Sequence, residues 1–443
     1  MRLLRLIAAT TLVASVTACS GSTAEPPPNP PRPNVLVFLT DDQRVDPTTY
    51  KVMPATKRLF RREGLEFTNA VVTTPLCCPS RASILSGRYA HNHGVRINRM
   101  GQYLDQKLTW PVELKKAGYQ TGMIGKYLNS WAGKPMGFDR WATLKSDKAY
   151  HDVEFNVNGR RKIVPTYITT FMKRQALQML RAFEENDDKP WVLYVAVYPP
   201  HFPNTPEKKY RGMPVPGWST NPANTEKDLS DKPDYVQENA KGPNIEYHAR
   251  KHRRKGMRSL KSVDDLIRAV FNKLDAQDEQ DTVSFYLSDN GYQLNDHGVL
   301  SKRYPYEESI RVPLLMRWPG KVTPGSDPAI VANIDLAPTL FDVLEIDPGY
   351  EPDGKSLLGE GTRSEILIEF FAEVGIPTWS QLWSPARQFI EYEDGTKEFY
   401  GPSDPWQLDN VYDNDQAGDE PADEEELRER LSGYRGCAGS TCP

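Results

Sequence analysis

The sequence lacks an excess of charge of either sign. Its 443 residues include 55 basic and 59 acidic side chains, which gives a formal net charge of −4. A protein that binds nucleic acid by general electrostatic attraction carries a strongly basic domain, and this composition predicts none. We therefore expect no nucleic-acid partner, and we expect an anionic substrate to be bound by a few local basic side chains. The hydrophobic share of 38% and the aromatic share of 10% exclude a largely disordered chain.

Internal repeats and long apolar runs are also missing. The N-terminal apolar run from Leu6 to Val16 is too short to span a bilayer permanently. Arg2 and Arg5 precede this run, and small residues follow it up to Cys19, a pattern typical of an export signal over residues 1–18. We therefore expect an exported protein.

The end of this signal resembles a bacterial lipobox. In that motif the thiol of the Cys, here Cys19, is lipidated, and the Cys becomes the mature N-terminus. An ordinary signal peptide with a chance Cys is the alternative. Six prolines follow between Pro26 and Pro33, and because such a composition stays extended, residues 19–33 are predicted to be a tether. The expected location is the extracellular face of a bacterial membrane, reached through the lipid anchor alone, or the medium if the chain is secreted.

Cysteine is scarce, with 5 residues in the chain. Lipidation accounts for Cys19, Cys437 and Cys442 could close a small terminal disulfide, and the adjacent pair Cys77 and Cys78 remains. Export makes a disulfide chemically possible. No CxxC motif or histidine cluster stands beside the adjacent pair, which argues against a metal site built on both thiols. The pair therefore needs another explanation.

Apolar runs alternate with helical stretches along the chain. Three continuous apolar runs, each typical of a strand buried on both faces of a mostly parallel sheet, are Asn34–Thr40, Trp191–Tyr198 and Thr282–Ser288. Three helical stretches are Leu108–Ala117, Tyr167–Glu184 and Ser262–Leu274. The sequence therefore predicts an α/β fold with a large mixed, mostly parallel sheet flanked by helices.

Acidic and amide side chains follow two of the predicted strands. Asp41 and Asp42 come directly after the first strand, and Asp289 and Asn290 come directly after the third. Because ligands gather at the carboxyl edge of such sheets, we expect the two pairs to meet. Their oxygens suit Ca²⁺ or Mg²⁺. For either pair alone, simple turn formation is the alternative explanation.

The segment around Cys77 carries the most specific motif. Pro79 suits the first turn of a helix, so Cys77 should lie at a helix N-terminus, where free amides favour negative charge. A buried structural cysteine pair is the alternative. The segment CCPSRASILSGRYAHNHG, which includes Arg81, strongly resembles the signature of the sulfatase family. In that family the Cys of C-x-P-S-R, here Cys77, is oxidised after translation to formylglycine.

The resemblance extends from Asn34 to about Glu420 and is closest to N-acetylglucosamine-6-sulfatase-like and related glycan sulfatases. It implies the fold of the alkaline phosphatase superfamily, with a catalytic domain over residues 34–375 and a small antiparallel C-terminal subdomain and tail over residues 376–443. It also implies one divalent cation, usually Ca²⁺ with Mg²⁺ as the alternative. The ligands that it implies for this cation are Asp41, Asp42, residue 77, Asp289 and Asn290.

The resemblance assigns roles to further residues. Arg81 would be a cation that positions the formylglycine. Lys126 and Lys302 would bind the sulfate oxygens, and His201 would lie beside the leaving oxygen. Many sulfatases carry a histidine two or three residues after the lysine of GK, but Leu128 and Asn129 stand there in this chain. Related glycan sulfatases also read GKYLN, which makes Asn129 a candidate substrate contact. The resemblance also places His93, His91 and His297 near the pocket, with His93 as a candidate substrate contact. For each of them, a histidine whose ring nitrogens are hydrogen-bonded in the core is an equal alternative.

The function implied by this resemblance is hydrolysis of a sulfate ester on a small molecule or glycan. A formylglycine-generating enzyme would modify residue 77, and the reaction would pass through a metal-bound formylglycine hydrate and a sulfo-enzyme intermediate. One alternative is a phosphodiesterase or phosphonate monoester hydrolase of the same superfamily, which can share the metal site and the C-x-P-S-R motif. Another is a catalytically dead glycan-binding surface protein, although the complete set of catalytic residues counts against it.

A polar, proline-punctuated segment precedes the third predicted helix. It covers residues 204–256 and ends in a basic cluster from His248 to Lys255. This cluster could bind a polyanionic glycan. A solvated loop before the helix from Ser262 is the favoured interpretation, because no aromatic residues are interleaved with the charges.

The C-terminal part has a different character. Arg387–Tyr400 is predicted to be a hairpin around Asp394-Gly395. The acids from Asp423 to Glu426, with Arg428 and Arg430 behind them, predict a short final helix whose charges match its dipole.

Overall fold

The computed structural model of the chain describes residues 32–443 except 130, 132, 146–148, 186–187, 241, 243, 360–362 and 413–420. Pro33–Pro443 form one compact unit. The predicted export signal, the lipidation site at Cys19 and most of the predicted tether lie outside the described residues, so these features stay predictions. Within the described ranges, no helix combines the length and the apolar character that a membrane crossing requires.

A large sheet forms the centre of the molecule. Its strands, within the described part of the chain, are β1 (Asn34–Asp41), β2 (Leu65–Val71), β3 (Gln120–Gly125), β4 (Arg140–Leu144), β5 (Val153–Val157), β6 (Arg160–Val164), β7 (Trp191–Pro200), β8 (Thr282–Ser288), β9 (Leu314–Arg317) and β10 (Gly325–Ala332). They lie in the order β10-β2-β9-β8-β1-β7-β3-β4-β5-β6. β1 pairs in parallel with both β7 and β8, whereas β9 is antiparallel to its neighbours. The predicted mixed, mostly parallel sheet is confirmed.

Helices cover both faces of this sheet. The helices of the described part of the chain are α1 (Pro54–Thr56), α2 (Cys77–Ser86), α3 (Ala90–His93), α4 (Trp110–Lys116), α5 (Ile168–Glu184), α6 (Asp234–Asn239), α7 (Ile245–Asp275), α8 (Glu307–Ile310), α9 (Leu336–Val343) and α10 (Glu424–Arg435). Of these, α10 packs against the smaller sheet described below. α1 continues directly as a π-helical segment over Lys57–Arg62. The helices predicted over residues 108–117 and 167–184 correspond to α4 and α5.

Alternate side chains of β1 enter two different hydrophobic cores. Leu36 and Phe38 belong to the core that contains residues of α5 and α7, while Val35, Val37 and Leu39 belong to the core that contains residues of α2, α4 and α9. Successive side chains of a strand point to opposite faces, so a strand covered on both sides is apolar at every position. This burial explains the continuous apolar run and leaves polar side chains for the end of the strand.

The helix that precedes β8 is longer than predicted. α7 begins at Ile245 and not at Ser262, so the expectation of a solvated loop over the basic cluster is wrong. Buried residues recur at the spacing of one helix face, at Ala249, Arg253, Gly256, Met257 and Leu260. The surrounding basic residues concealed this pattern, because the buried face itself includes an arginine.

A second, smaller sheet follows the large one. It contains the antiparallel strands β11 (Ile366–Phe370), β12 (Trp379–Trp383), β13 (Gln388–Tyr392) and β14 (Lys397–Tyr400), in that order. β13 and β14 form the predicted hairpin around Asp394-Gly395, and Gly395 adopts a φ of 91° that suits its place in the turn. The first strand of this sheet, β11, lies before residue 376, so the sheet begins ahead of the predicted domain boundary. The boundary itself stays a prediction.

The chain ends in a helix and a small disulfide loop. α10 begins at Glu424 with acidic residues in its first turn, as predicted, and it buries Leu427, Leu431 and Tyr434. Cys437 and Cys442 form the predicted disulfide.

Candidate active site

Two polar strand ends meet at the carboxyl edge of the large sheet. Because β8 lies beside β1, the main-chain N–H of Asp42 donates to Asp289 Oδ1 at 3.1 Å. The side-chain amide of Asn290 donates to Asp42 Oδ1 at 2.7 Å. These residues and the adjacent Asp41 are all buried. The predicted meeting of the two polar pairs is therefore confirmed.

Cys77 is the first residue of α2 and lies against this acidic group. Its Sγ is 3.5 Å from Asp41 Oδ1, and Lys302 Nζ lies 2.7 Å from the same sulfur. Pro79 occupies the first turn, where its missing N–H removes no helical hydrogen bond. The predicted position of Cys77 at a helix N-terminus is confirmed.

Buried cations pair with the carboxylates. Lys126 Nζ donates to Asp41 Oδ2 at 2.7 Å. Arg81, which is wholly buried, donates from Nε to Asp289 Oδ2 at 2.8 Å and from Nη1 to the carbonyl oxygen of Lys126 at 2.6 Å. Removing one partner of a buried pair leaves an unpaired charge, at a cost of about 3–5 kcal/mol. Arg81 therefore acts as a fixed link between β8, α2 and the loop after β3.

Burial and the neighbouring cations shift the pKa values of the aspartates in opposite directions. Burial raises the pKa of Asp42, but Lys302, which donates to its Oδ1, and His201 oppose burial, and the net pKa shift is downward. The pKa of Asp289 is raised, because of burial and of nearby Asp41. An additional cation at this place would favour the ionised form of Asp289.

The thiol of Cys77 is a poor nucleophile in this environment. Burial raises its pKa to about 12, against the opposing effect of Lys126 and Lys302. A thiol with such a pKa stays protonated near neutral pH, whereas the thiolate is the reactive form. The position therefore suits a nucleophile other than a thiolate.

His201 lies at the more open side of the site, and 22% of its side chain is exposed. Its Nε2 is 3.6 Å from Asp42 Oδ2, and its Nδ1 is 2.7 Å from the carbonyl oxygen of Phe202. Because a carbonyl only accepts hydrogen bonds, Nδ1 carries the proton in the neutral ring. Nε2 is then the atom that can take up a proton and donate it toward the site.

The residues present fit a divalent cation. Ligand atoms of Asp41, Asp42, Cys77 and His201 all lie within 4.8 Å of one another. Asn290 Oδ1 is buried and has no hydrogen-bond partner among the described residues, so this amide oxygen is available as a metal ligand. Carboxylate and amide oxygens are the donors that Ca²⁺ and Mg²⁺ prefer. The ligand set predicted from the resemblance, with Asp289 and Asn290, stays a prediction.

The three other candidate histidines have partners away from this cluster. His93 is buried, with Nε2 at 3.0 Å from Ser83 Oγ and Nδ1 accepting the N–H of Val95 at 3.1 Å, and burial lowers its pKa to about 3. His91 Nδ1 lies 3.0 Å from the carboxylate of Glu369, and His297 Nδ1 lies 2.6 Å from Glu226 Oε2. The structure thus places them as core and bridging residues, while the expected substrate contact of His93 stays a prediction.

Asn129 and one unexpected histidine lie at the edges of the site. Asn129 Oδ1 is buried and lacks a hydrogen-bond partner in the part of the chain that is described, which leaves it available to a ligand. The unexpected residue is His252, whose ring stacks on Tyr292 with centroids 4.7 Å apart and lines a small cleft with Asp42. Burial lowers the pKa of His252 to about 4, so the ring is neutral at physiological pH. His252 is half-buried and follows the buried Ala249 by three residues in α7, and this helical spacing was the available sequence signal.

A model of the sulfatase family matches residues 33–346. The chain belongs to the sulfatase family. Human N-acetylglucosamine-6-sulfatase is 32% identical over 378 residues, which cover 77% of this chain and 68% of that protein. The extracellular sulfatase SULF-1 homolog of Drosophila melanogaster is 32% identical over 357 residues, which cover 74% of this chain. This sulfatase-family chain spans 48% and 31% of the length of the extracellular sulfatase relatives from Caenorhabditis elegans and Drosophila melanogaster.

A solved structure shares the fold of this sulfatase-family chain. It is that of BT4656 in complex with its substrate, D-glucosamine-2-N,6-O-disulfate, and it has a TM-score of 0.75 at 23% identity. The likeness covers 90% of this chain and 97% of that chain. It shows the fold alone, and it confirms the sulfatase-like fold predicted from the motifs.

Proposed function

We propose that this protein hydrolyses a sulfate ester on a sugar or glycan, with formylglycine made from Cys77 as the nucleophilic residue. The surroundings of Cys77 support this most directly. Its Sγ lies 2.7 Å from Lys302 Nζ and 3.5 Å from Asp41 Oδ1 at the N-terminus of α2. A free cysteine with a purely structural role packs as a small hydrophobic residue and needs no buried ions around it.

Formylglycine, once hydrated, would supply two hydroxyl groups on one carbon, of which one attacks sulfur and the other later releases the sulfate. The other contributions come from groups that the chain already holds in place. Arg81 is fixed by Asp289 and by the carbonyl oxygen of Lys126, so it stays beside residue 77 and offsets charge there. Its rigidity argues for a positioning role.

A divalent cation, Ca²⁺ by resemblance and Mg²⁺ as the alternative, would lower the pKa of the attacking hydroxyl and offset charge on the sulfate. The residues proposed to hold it are Asp41, Asp42, Asp289 and Asn290, with residue 77. The buried, unpartnered Oδ1 of Asn290 among the described residues and the raised pKa of Asp289 both support this assignment.

The two lysines and the histidine would act on the substrate itself. Lys126 and Lys302 would bind sulfate oxygens, on which negative charge increases in the transition state. His201 would donate a proton from Nε2 to the leaving oxygen. The hydrogen bond between Nδ1 and the carbonyl of Phe202 would keep the ring in the required orientation. Asn129 would contact the substrate through its buried amide oxygen.

The proposed substrate class is a 6-sulfated hexosamine. This choice rests on the name of the human relative, N-acetylglucosamine-6-sulfatase, and on the substrate of the fold neighbour, D-glucosamine-2-N,6-O-disulfate. The proposed location is the extracellular face of a bacterial membrane through a lipidated Cys19, or the medium. A formylglycine-generating enzyme is the proposed partner that modifies Cys77.

Hydrolysis of N-acetylglucosamine-6-sulfate by protein from the native host tests this function. We expect sulfate release in the presence of Ca²⁺, with a kcat/KM at least about tenfold above that for a phosphodiester or phosphonate monoester of matched leaving group. A preference for the phosphorus substrates would support the phosphodiesterase or phosphonate hydrolase alternative. Binding of the sugar sulfate without turnover would support a glycan-binding protein.

A further inference from the structure

A tight turn between β11 and β12 lies close to the proposed nucleophile. We call residues 371–377 the β11–β12 turn. The N–H of Glu373 donates to the carbonyl oxygen of Ile376 at 3.2 Å, and the reverse bond has the same length. Between them, Val374 and Gly375 both have positive φ, at 55° and 76°. A β-branched residue rarely adopts this conformation, and Val374 is 77% exposed, so its own packing does not impose the strain.

Glu373 of this turn is connected to the nucleophile from one side. Its Oε1 accepts the N–H of Asn98 at 3.3 Å, and Asn98 Oδ1 accepts the N–H of Cys78 at 3.0 Å. Cys78 directly follows Cys77. Two hydrogen bonds therefore link the carboxylate to the first turn of α2.

Arg303 reaches the same carboxylate from the other side. It directly follows Lys302, whose Nζ is 2.7 Å from Cys77 Sγ. Arg303 also has a positive φ, of 90°, and is not a glycine. Two strained residues, Arg303 and Val374, thus lie on either side of Glu373, and such strain concentrates at functional sites.

Arg303 and Glu373 each have one polar atom without a hydrogen-bond partner among the described residues. Glu373 Oε2 and Arg303 Nε are both buried, and neither has a hydrogen-bond partner among the residues that the structure describes. The two atoms lie 3.7 Å apart, which is too long for a direct hydrogen bond. A hydroxyl oxygen about 2.8 Å from each atom would bridge them, because it accepts from Nε and donates to Oε2.

Glu373 also lines the wall of a large cleft. This cleft has a volume of about 790 Å³, and its wall includes Tyr235 and Tyr392. Its acidic lining residues are Asp234, Glu238, Glu373 and Asp394, against one lysine, Lys232, among the described lining residues. Lys232 is itself buried and donates to Asp231 and to the carbonyl oxygen of Leu408. The cleft is therefore negatively charged, which disfavours anionic groups.

We propose that Glu373 and Arg303 together bind a hydroxyl group of the sugar that carries the sulfate, and that the acidic cleft selects against a second anionic substituent on that sugar. This inference rests on the proposed function and names the recognition element of the same site. Arg303 orients the carboxylate from 3.7 Å away, while Glu373 distinguishes a hydroxyl, which donates a hydrogen bond, from a sulfate or carboxylate, which does not.

Binding measurements separate this role from catalysis. In a Cys77→Ala background, which binds without turnover, calorimetry compares N-acetylglucosamine-6-sulfate with inorganic sulfate before and after Glu373→Gln. We expect the sugar sulfate to bind about 10- to 100-fold more weakly after the change, because a charge-assisted hydrogen bond is lost. Inorganic sulfate, which has no sugar hydroxyl, should bind as tightly as before or more tightly. Glu429→Gln, an exposed glutamate on α10, is the matched control.

Selectivity provides the second readout. The protein with Glu373 intact should bind N-acetylglucosamine-6-sulfate at least about tenfold more tightly than glucosamine-2-N,6-O-disulfate, and Glu373→Gln should reduce this preference. Equal weakening of sugar sulfate and inorganic sulfate, or no weakening of either, would overturn the inference while leaving the proposed function intact. If the Cys77→Ala protein binds neither ligand, the proposed function fails and this inference fails with it.

Discussion

Asn290 donates a hydrogen bond to Asp42 Oδ1 at 2.7 Å, although 248 residues separate the two in sequence. The contact exists because β8 pairs in parallel with β1, so that both strands end at the same edge of the sheet. The N-terminus of α2 brings Cys77 to the same place. Oxygen donors, cations and a buried reactive position thus come together from distant parts of the chain.

Replacing Cys77 by Ala should abolish sulfate release while leaving the protein folded. The proposed nucleophile is made from this side chain, and no thiol is left to modify. We expect a fall in kcat of at least about 10³-fold, measured as sulfate released from N-acetylglucosamine-6-sulfate. The far-ultraviolet circular dichroism spectrum should stay that of the parent protein.

Cys78→Ala is the matched control for this experiment. Cys78 is as buried as its neighbour, but it is linked to the site through its main-chain N–H, which donates to Asn98 Oδ1. Removing the thiol leaves this hydrogen bond unchanged. We expect turnover within about threefold of the parent and a lower melting temperature from the small cavity. Sustained turnover by the Cys77→Ala protein would place the nucleophile elsewhere.

His201→Ala should slow substrates with poor leaving groups more than substrates with good ones. A sugar alkoxide needs a proton as it leaves, whereas an activated phenolate does not. We expect kcat/KM to fall about 10²-fold or more for the sugar sulfate and less than about tenfold for 4-nitrophenyl sulfate. His248→Ala, an exposed histidine on α7, controls for loss of a histidine. A uniform loss on both substrates would point to binding and not to proton donation.

Calcium should stabilise the protein, and Asn290→Ala should weaken this effect. The buried Oδ1 of Asn290 is a proposed ligand, and a ligand that binds the folded state raises the melting temperature. In the variant we expect the calcium concentration that gives half of the rise to increase at least about tenfold. Asn239→Ala, at an exposed position on α6, should behave like the parent protein. The absence of any calcium effect on the parent would count against the proposed cation site.

Arg253 and Arg254 are neighbours in α7 that should differ sharply in their effect on stability. Arg253 Nε lies 3.1 Å from Asp46 Oδ2, and its Nη2 donates to Thr48 Oγ1 at 2.7 Å, whereas Arg254 is exposed. Arg253→Ala should lower the free energy of unfolding in urea by about 2 kcal/mol, because it removes the hydrogen bonds of a buried guanidinium and leaves the half-buried carboxylate of Asp46 without its cation. Arg254→Ala should change it by less than about 0.5 kcal/mol. Similar effects of the two changes would contradict the helical register of this segment.

The sequence predicted those parts of the site that lie where regular elements begin or end. Asp42 and Asn290 each follow an apolar run that is buried on both faces, and strand pairing then brings them to one edge. Cys77 precedes a proline that marks the first turn of a helix. Such positions are predictable because the boundary of an element is encoded in neighbouring residues.

Residues whose role depends on packing were not predictable in the same way. His93 stands beside the motif in sequence, but Ser83 and Val95 occupy its ring nitrogens. His252 lies in a run of basic residues, and its contact with Tyr292 joins α7 to the loop after β8, which the local sequence does not encode. Glu373 belongs to a turn between strands, and nothing in its local sequence indicates that Asn98 would hold it.

The mass of one tryptic peptide decides whether residue 77 is formylglycine. Protein from the native host should be digested with trypsin, and the peptide from Glu63 to Arg81 should be weighed. We expect a mass in which the sulfur of residue 77 has been replaced by an aldehyde oxygen, while Cys78 keeps its sulfur. A peptide with two intact cysteines in catalytically active protein would contradict a formylglycine nucleophile and favour the alternatives without formylglycine.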